Sequence, residues 1–466
     1  MSETTPYPYR FERTATIGAL RDRHGELEAG TDTGEKVSVA GRVMTMREHG
    51  KVAFADLVDA SGRIQLFAQQ DVLGEAGMAG FIQVGVGDIV GVEGEVAMTR
   101  RGELSVKIAS ITVLAPCTRP LPEKWHGMSD VEVRYRQRYL DMIANPVPGR
   151  VLEARSRANA AIRGFFDDRG FLEVETPLLQ PIAGGAVARP FTTHHNALGI
   201  DLYLRVAPEL YLKRLLIGGA ERVYELNRSF RNEGVSTRHN PEFTMLEAYE
   251  AYVDFNDTMT LVEELVLAIA AAVGTEKRLE GPFRRITMFE AITEATDRDL
   301  ETPWRNADGD AIRKHADELG VTVESTWSSG KVLFEIYEMR VEKDLAEPTF
   351  IVGMPKDVSP LAKDHRSIPS FTEHADLVIG GVEIAPIYSE LNDPEEQRRR
   401  FEQQSAARAG GQQETLLPDE DFLDALAYGM PPAGGFGLGV DRLLMFLLDL
   451  ASIREVIMFP TLKPEA

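Results

Sequence analysis

In the stretch RVYELNRSFRNEGVSTRHNPEFTMLEAYEAY, residues 222–252, two runs of β-strand character (222–231 and 242–252) flank a loop of charged and polar residues. Such a pattern reads as an antiparallel hairpin. Outward from it, 150–169 has helical spacing (Val151, Ala154, Ala158, Ile162, Phe165, Phe166), and Gly170 suits the helix C-terminus. A strand is predicted over 171–175, stopped by Pro177, and a helix over 260–273. Residues 282–347 read as a helix-rich, polar insertion, and 434–464 as strand, glycine turn and helix. Strands and helices do not alternate regularly, which argues against a doubly wound parallel sheet. The expected class is α+β, built on an antiparallel sheet flanked by helices.

Ahead of this region, 36–114 breaks into about five short strands separated by Gly50, Ser61-Gly62, Gly87-Asp88 and Gly102, with no long helix expected. A five-stranded β-barrel of the OB-fold type is the natural architecture for that pattern. Three prolines in 116–122 mark a linker. The predicted organisation is therefore a barrel domain over 1–115, a linker over 116–149 and a larger domain over 150–466.

With 466 residues, 43% hydrophobic and 27% charged, the chain is long enough for two cores and too apolar for disorder. A single cysteine, Cys117, excludes an internal disulfide and a cysteine zinc cluster, and fits a reducing cytoplasm. No basic flank with an apolar core opens the sequence, so no secretory leader is expected. The longest apolar run, 261–273, contains Glu263 and Glu264 and is too short to span a bilayer, so no membrane role is expected. The net charge of −22 opposes general nucleic-acid affinity, leaving RNA binding to local basic surfaces such as Arg47, Lys51, Arg100, Arg101 and Lys107.

Three constellations carry chemistry. Arg231, at the end of one strand, and the basic loop after it can clamp a polyphosphate; His239 can add charge or hydrogen bonds and Phe243 a stacking face for adenine. A solvated hairpin loop is the competing reading. Gly435-Phe436-Gly437-Leu438-Gly439-Val440-Asp441-Arg442 fails the dinucleotide-binding pattern, because no βαβ unit follows. It suits a strand whose glycines admit a nucleotide to the backbone, with Arg442 facing phosphate. Among the acids Glu209, Glu247, Asp376, Glu383 and Glu390, the pair Asp376 and Glu383 can hold Mg²⁺ through oxygen ligands, against the reading of exposed strand-end carboxylates. His194-His195 lacks a third ligand nearby and reads as loop.

Taken together these stretches resemble class II aminoacyl-tRNA synthetases. Gly170–Pro177 is similar to motif 1, Phe230–Glu233 with Arg238–Phe243 to motif 2, and Gly437–Arg442 to motif 3. Within the class the chain resembles bacterial lysyl-tRNA synthetases over nearly its whole length, through 134–141, 184–191, 193–198, 207–214 and 388–393.

The resemblance implies an anticodon-reading OB-fold, a catalytic antiparallel sheet and a homodimer assembled partly through motif 1. It implies activation of L-lysine by ATP, with Mg²⁺, and transfer to the terminal adenosine of tRNA(Lys) in the cytoplasm. Arg231 would grip the α-phosphate and the amino-acid carboxylate, His239 and Arg442 the distal phosphates, and Phe243 the adenine, with Glu233 and Asn240 completing the ATP site. Arg231 and Arg442 would be the catalytic pair, and Asp376 and Glu383 the Mg²⁺ ligands. Glu247, Glu390 and Tyr249 would surround the ε-ammonium, Gly185 and Glu209 would take the α-amino group, and Tyr388 would line the same pocket. In the barrel, Phe54 would stack on an anticodon base while Arg47, Gln65 and Glu103 bond base edges. One departure stands out: Pro386-Ile387 occupies a turn that is commonly small and polar in the family, which predicts a weaker grip on the lysine carboxylate and a narrower pocket. It also motivates the alternative of a paralogue for another cationic amino acid; a catalytically weak, RNA-binding regulatory scaffold is a separate alternative, opposed by intact Arg231, Asp376, Glu383 and Arg442.

Overall fold

The computed structural model describes residues 7–122, 128–186, 188–277, 279–409 and 418–464; Val187, in one of the stretches quoted above, lies outside them. The chain divides into two units, Met1–Ser129 and Asp130–Ala466.

Alternation builds the first unit. In β1 (Asp32–His49), Val37, Val39 and Val43 point inward, and β2 (Val52–Asp59) and β3 (Gly62–Gln69) continue the pattern with Ala53, Ala55, Leu57, Ile64 and Leu66. β4 (Ile89–Met98) and β5 (Leu104–Ala115) complete the set. β1 pairs antiparallel with both β2 and β4, while β3 and β5 join in parallel, so the order β1-β2-β3-β5-β4 closes into a barrel. Gly41 lets the long first strand serve two neighbours, since a Cβ there would collide with the Val58 carbonyl.

A helix, Gln70–Ile82, stands between β3 and β4, where the sequence suggested none. Three glycines (Gly74, Gly77, Gly80) mask its periodicity, and it is kinked at Gly74, φ 70°; burial of Met78 and Phe81 against the barrel core holds it.

The second unit carries an eight-stranded sheet and a small three-stranded one. Its strands are β6 (Leu172–Glu173), β7 (Leu179–Gln180), β8 (Thr192–His195), β9 (Ile200–Leu204), β10 (Arg222–Phe230), β11 (Glu242–Ala251), β12 (Arg284–Thr287), β13 (Thr349–Pro355), β14 (Phe371–Val378), β15 (Glu383–Ser389) and β16 (Ala433–Gly439). The large sheet runs β12-β13-β14-β15-β16-β11-β10-β6, parallel only at its two outermost pairs.

Each central strand alternates between two environments. Leu246 and Ala248, Ala375 and Leu377, Ala385 and Ile387, and Phe436 and Leu438 pack with the helices Val147–Asp167 and Phe255–Val273 into one core. The intervening residues face the other way: Glu247 and Tyr249, His374 and Asp376, Pro386 and Tyr388, Gly435 and Gly437. Backbone register then lines them up, with Tyr249 opposite Gly435, Gly435 opposite Tyr388, and Tyr388 opposite His374.

Several boundaries differ from the expectation, and the helix expected over 150–169 runs from Val147 to Asp167. The 171–175 strand shortens to β6, two residues paired with β10. The helix expected from 260 begins at Phe255, where Asp254 and Asp257 form a reciprocal capping box. Residues 116–149 are not all linker, because the helices Val131–Arg136 and Arg138–Ala144 belong to the second unit. Arg138 is buried there, bonded to Asp141 at 2.6 Å and to the carbonyls of Met458 and Arg454 at 3.0 and 2.8 Å. A polar sequence does not advertise a buried ion pair. The insertion contributes β12 to the sheet edge and four helices with their own core. No described helix is long and apolar enough to cross a membrane.

Candidate active site

The hairpin β10–β11 sets the anion-binding end. Arg231 follows β10, its backbone N–H donating to the Pro241 carbonyl at 2.9 Å and its guanidinium lying 5.2 Å from the Phe243 ring centre. Its Nε is buried without a hydrogen-bond partner, and burial pulls the guanidinium pKa below its ordinary value against the opposing charges of Glu233 and Glu383. A desolvated cation with an unspent donor is prepared for an oxyanion.

Arg442 enters from the helix Val440–Leu447, which starts where β16 ends. It donates to the Glu383 carbonyl at 3.1 Å and stands 3.1 Å from His239 Nε2, whose other ring nitrogen is 2.9 Å from Ser236 Oγ. Burial and then Arg442 lower the His239 pKa, which favours the neutral imidazole as a hydrogen-bonding group beside the Arg442 charge. Asp441 fixes this corner: it accepts from the Thr244 N–H at 2.7 Å and pairs with Arg155. One cavity is lined by Arg231, Glu233, His239, Asn240, Phe243 and Arg442, so all six residues of the expected ATP set converge. Asn240 spends its amide locally, donating to the Glu242 carbonyl at 2.7 Å and accepting from the Thr461 N–H at 3.3 Å.

Glu383, on β15, lines this cavity, and Asp376 stands on the neighbouring strand β14. Asp376 is 2.8 Å from His374 Nε2, and Glu383 is 3.7 Å from Arg442. Glu342, from the insertion, joins them by accepting the Glu383 backbone N–H at 3.3 Å. Burial and Asp376 raise the pKa of Glu383; burial, Glu383 and Asp376 raise that of Glu342 to about 7. Among the described residues no group of three or more such side chains forms a closed metal cage. Two carboxylates beside Arg231 and Arg442 offer oxygen ligands of the kind a hard divalent cation such as Mg²⁺ takes.

A second group of side chains is acidic and buried. Glu209 opens the helix Glu209–Ile217 and sits 2.6 Å from Lys213 Nζ, which is 2.5 Å from Glu390. The Tyr249 hydroxyl donates to Glu247 at 3.2 Å. Burial and Glu209 push the Glu247 carboxyl well above its ordinary pKa; burial, Glu209 and Glu247 push the Tyr249 phenol well above its own. Gly185, at φ 89°, abuts Glu209, where an added Cβ would stand 3.1 Å from the Glu209 Cβ. Tyr388 packs on His374 with ring centres 4.4 Å apart.

Pro386 lines the cavity of Arg231 and Arg442, but Ile387 does not. It is fully buried in the core on the helix side of the sheet, because adjacent strand residues point to opposite faces. His194 and His195 are exposed on β8, with His194 held by Asp201 at 2.7 Å.

On the barrel, cross-strand register aligns Arg47 with Phe54, Phe54 with Phe67, and Phe67 with Lys107. The two phenylalanine rings stack 5.0 Å apart at 3°. Gln65 sits in the neighbouring row, accepting from Ser105 Oγ at 3.1 Å, and Glu103 pairs with Arg21 at 3.8 Å. Phe67 escaped the sequence reading, although its place in an alternating strand was a usable signal. Lys213 and Glu342 escaped as well. The four-residue spacing of Glu209 and Lys213 was visible, whereas nothing local ties Glu342 to Glu383.

An antiparallel sheet that presents an arginine hairpin, a glycine strand running into an arginine helix, and paired acids on one face defines a class II aminoacyl-tRNA synthetase. Residues 130–463 match the family of class II tRNA synthetases (D, K and N), and 37–114 match the OB-fold nucleic acid binding domain. Full-length similarity extends to a lysine–tRNA ligase of Moorella thermoacetica, 51% identical over 99% of this chain and 94% of the relative. It extends also to those of Gloeobacter violaceus (49%; 99% and 95%) and Xanthomonas oryzae pv. oryzae (48%; 99% and 93%). The chain belongs to the lysine–tRNA ligase family of class II synthetases.

Proposed function

We propose that this protein joins L-lysine to tRNA(Lys) in two steps at the site above. A lysine carboxylate oxygen attacks the α-phosphorus of ATP, the bond to the β-phosphate breaks and pyrophosphate leaves; a hydroxyl of the terminal adenosine of the tRNA then takes the lysyl group and AMP leaves. The observation that carries this reading is the cluster of three buried carboxylates, Glu209, Glu247 and Glu390, next to a desolvated arginine. A substrate with two ammonium groups and one carboxylate is complementary to both.

Arg231 aligns the carboxylate with the α-phosphate and offsets charge that develops there; Arg442 and His239 hold the distal phosphates, Glu233 and Asn240 border the nucleotide, and Phe243 stacks on adenine. Bound by Asp376 and Glu383, Mg²⁺ would supply further charge neutralisation on the phosphates. Glu247, Tyr249 and Glu390 receive the ε-ammonium, Gly185 and Glu209 the α-amino group, and Tyr388 closes the pocket. Pyrophosphate exchange driven by lysine, and not by ornithine, arginine, β-lysine or aspartate, is the expected result with purified protein; exchange with another amino acid instead would reassign the substrate.

The aligned row Arg47, Phe54, Phe67 and Lys107 supports anticodon reading by the barrel, with Gln65 and Glu103 at its side. A base stacked on an aromatic ring contributes about 1–3 kcal/mol. Phe54→Ala is therefore expected to lower kcat/KM for tRNA about tenfold or more relative to the lysine-dependent exchange rate, measured on the same preparation. Equal effects on both would remove Phe54 from the RNA contact. Exposed Leu172, Leu178 and Leu179, in and just after motif 1, support a homodimer assembled on that segment. The unpaired Cys117 supports a cytoplasmic setting.

A further inference from the structure

We infer that Lys213 is a positioning residue that sets the charge of the amino-acid pocket: its ammonium bridges Glu209 and Glu390 and offsets part of the negative charge of three buried carboxylates, leaving the remainder for the ammonium groups of the substrate. The inference rests on the lysine-binding reading above and adds to it the group that makes the acids fit for that task.

Lys213 is fully buried, with its Nζ 2.6 Å from Glu209 and 2.5 Å from Glu390. The bridge ties the helix Glu209–Ile217 to the residue that follows β15, two elements far apart in sequence. Glu390 keeps Oε1 buried without a hydrogen-bond partner, an acceptor with capacity left for a ligand. Gly435 makes room for it: an added Cβ there would overlap Glu390 Oε1.

The charge balance follows from what surrounds the ammonium. Glu209 comes from its own helix, Glu247 and Tyr249 from β11, His374 from β14, and Tyr388 and Glu390 from the β15 segment. Nearby Glu225 is neutralised by Arg205 at 2.6 Å, and His374 is engaged with Asp376. That leaves Glu209, Glu247 and Glu390 against Lys213. Burial raises the Glu247 carboxyl well above its ordinary pKa and Glu390 to about 7 even beside the ammonium, while Glu209 and Glu390, against burial, hold Lys213 above its own ordinary pKa. Without the ammonium, three carboxylates would share a dry pocket, and such groups take up protons rather than remain ionised together. A protonated carboxyl is a poor ligand for an ammonium group.

The test compares wild type, Lys213→Met, Lys213→Arg and the double variant Lys213→Met/Glu390→Gln in the full-length protein. Pyrophosphate exchange is followed from pH 6 to 9 with lysine and ATP varied separately, alongside thermal unfolding. Lys213→Met is expected to raise KM for lysine about tenfold or more and leave KM for ATP within about threefold. It should also move the acid limb of kcat/KM for lysine to higher pH, by about one unit or more, because acids that must be ionised now hold their protons longer. Lys213→Arg, which keeps the charge, should leave that limb at its wild-type position. The double variant removes an acid together with the cation and should unfold at a higher temperature than Lys213→Met, a comparison of soluble yield and melting that remains available if the single variant folds poorly. Methionine and arginine variants with the same limb, an unchanged KM for lysine, or a double variant no more stable than the single would overturn the inference. Wild type that fails to exchange with lysine would overturn the underlying substrate reading instead.

Discussion

Arg231→Met is expected to lower lysine-dependent pyrophosphate exchange by about 10²–10³-fold or more at saturating substrates, with the fold intact. One preorganised donor in a water-excluded site is typically worth this much to a developing oxyanion. Here the guanidinium is desolvated, stacked beside Phe243 and left with an unspent Nε, so it needs no rearrangement to meet a phosphate. Methionine preserves the packing on Phe243 and removes only the charge and donors. Lysine at this position restores little, because a point charge cannot make the two parallel hydrogen bonds of a guanidinium fork. Initial exchange rates under saturation settle the matter; a loss of less than tenfold would take Arg231 out of the reacting centre.

Gly435→Ala is expected to raise KM for lysine about 100-fold or more while KM for ATP changes little. The added methyl would overlap Glu390 Oε1 and stand 2.5 Å from the Tyr249 ring. Both partners are buried, so neither can swing into solvent. Glu390 is anchored by Lys213 and Tyr249 by Glu247, and displacing them breaks the ammonium site from its floor. Separate titrations of lysine and ATP in the exchange assay provide the check. A lysine KM within a few-fold of wild type would mean that these two side chains do not shape the pocket.

These two sites show where local reading succeeds and where it stops. Arg231 was legible because strand alternation, a polar loop and an arginine at the strand end lie within one short stretch. Gly435 was legible as a glycine in a nucleotide-approach strand, but its actual task, clearing space for Tyr249 from β11 and Glu390 after β15, depends on register with strands far away in sequence. Pro386 and Ile387 part company for a related reason. Pro386 reaches the cavity, whereas Ile387, one residue on, turns to the opposite face and joins the core.

The resemblance to class II synthetases, and no local pattern, brought Arg231, His239, Phe243 and Arg442 together; periodicity, glycines and prolines by themselves determined the barrel strands, the β10–β11 hairpin, a helix over 150–169 and the α+β class. These features are set by interactions within a few residues along the chain or by a side-chain period of 2 or 3.6. Only the tertiary structure decided that Lys213 bridges Glu209 and Glu390, that Glu342 reaches Glu383, that Phe67 stacks on Phe54, and that 131–144 belongs to the second unit. Each depends on a charge or ring meeting a partner from another element, and the strength of that meeting comes from burial, which no stretch of sequence contains until the chain has closed around it.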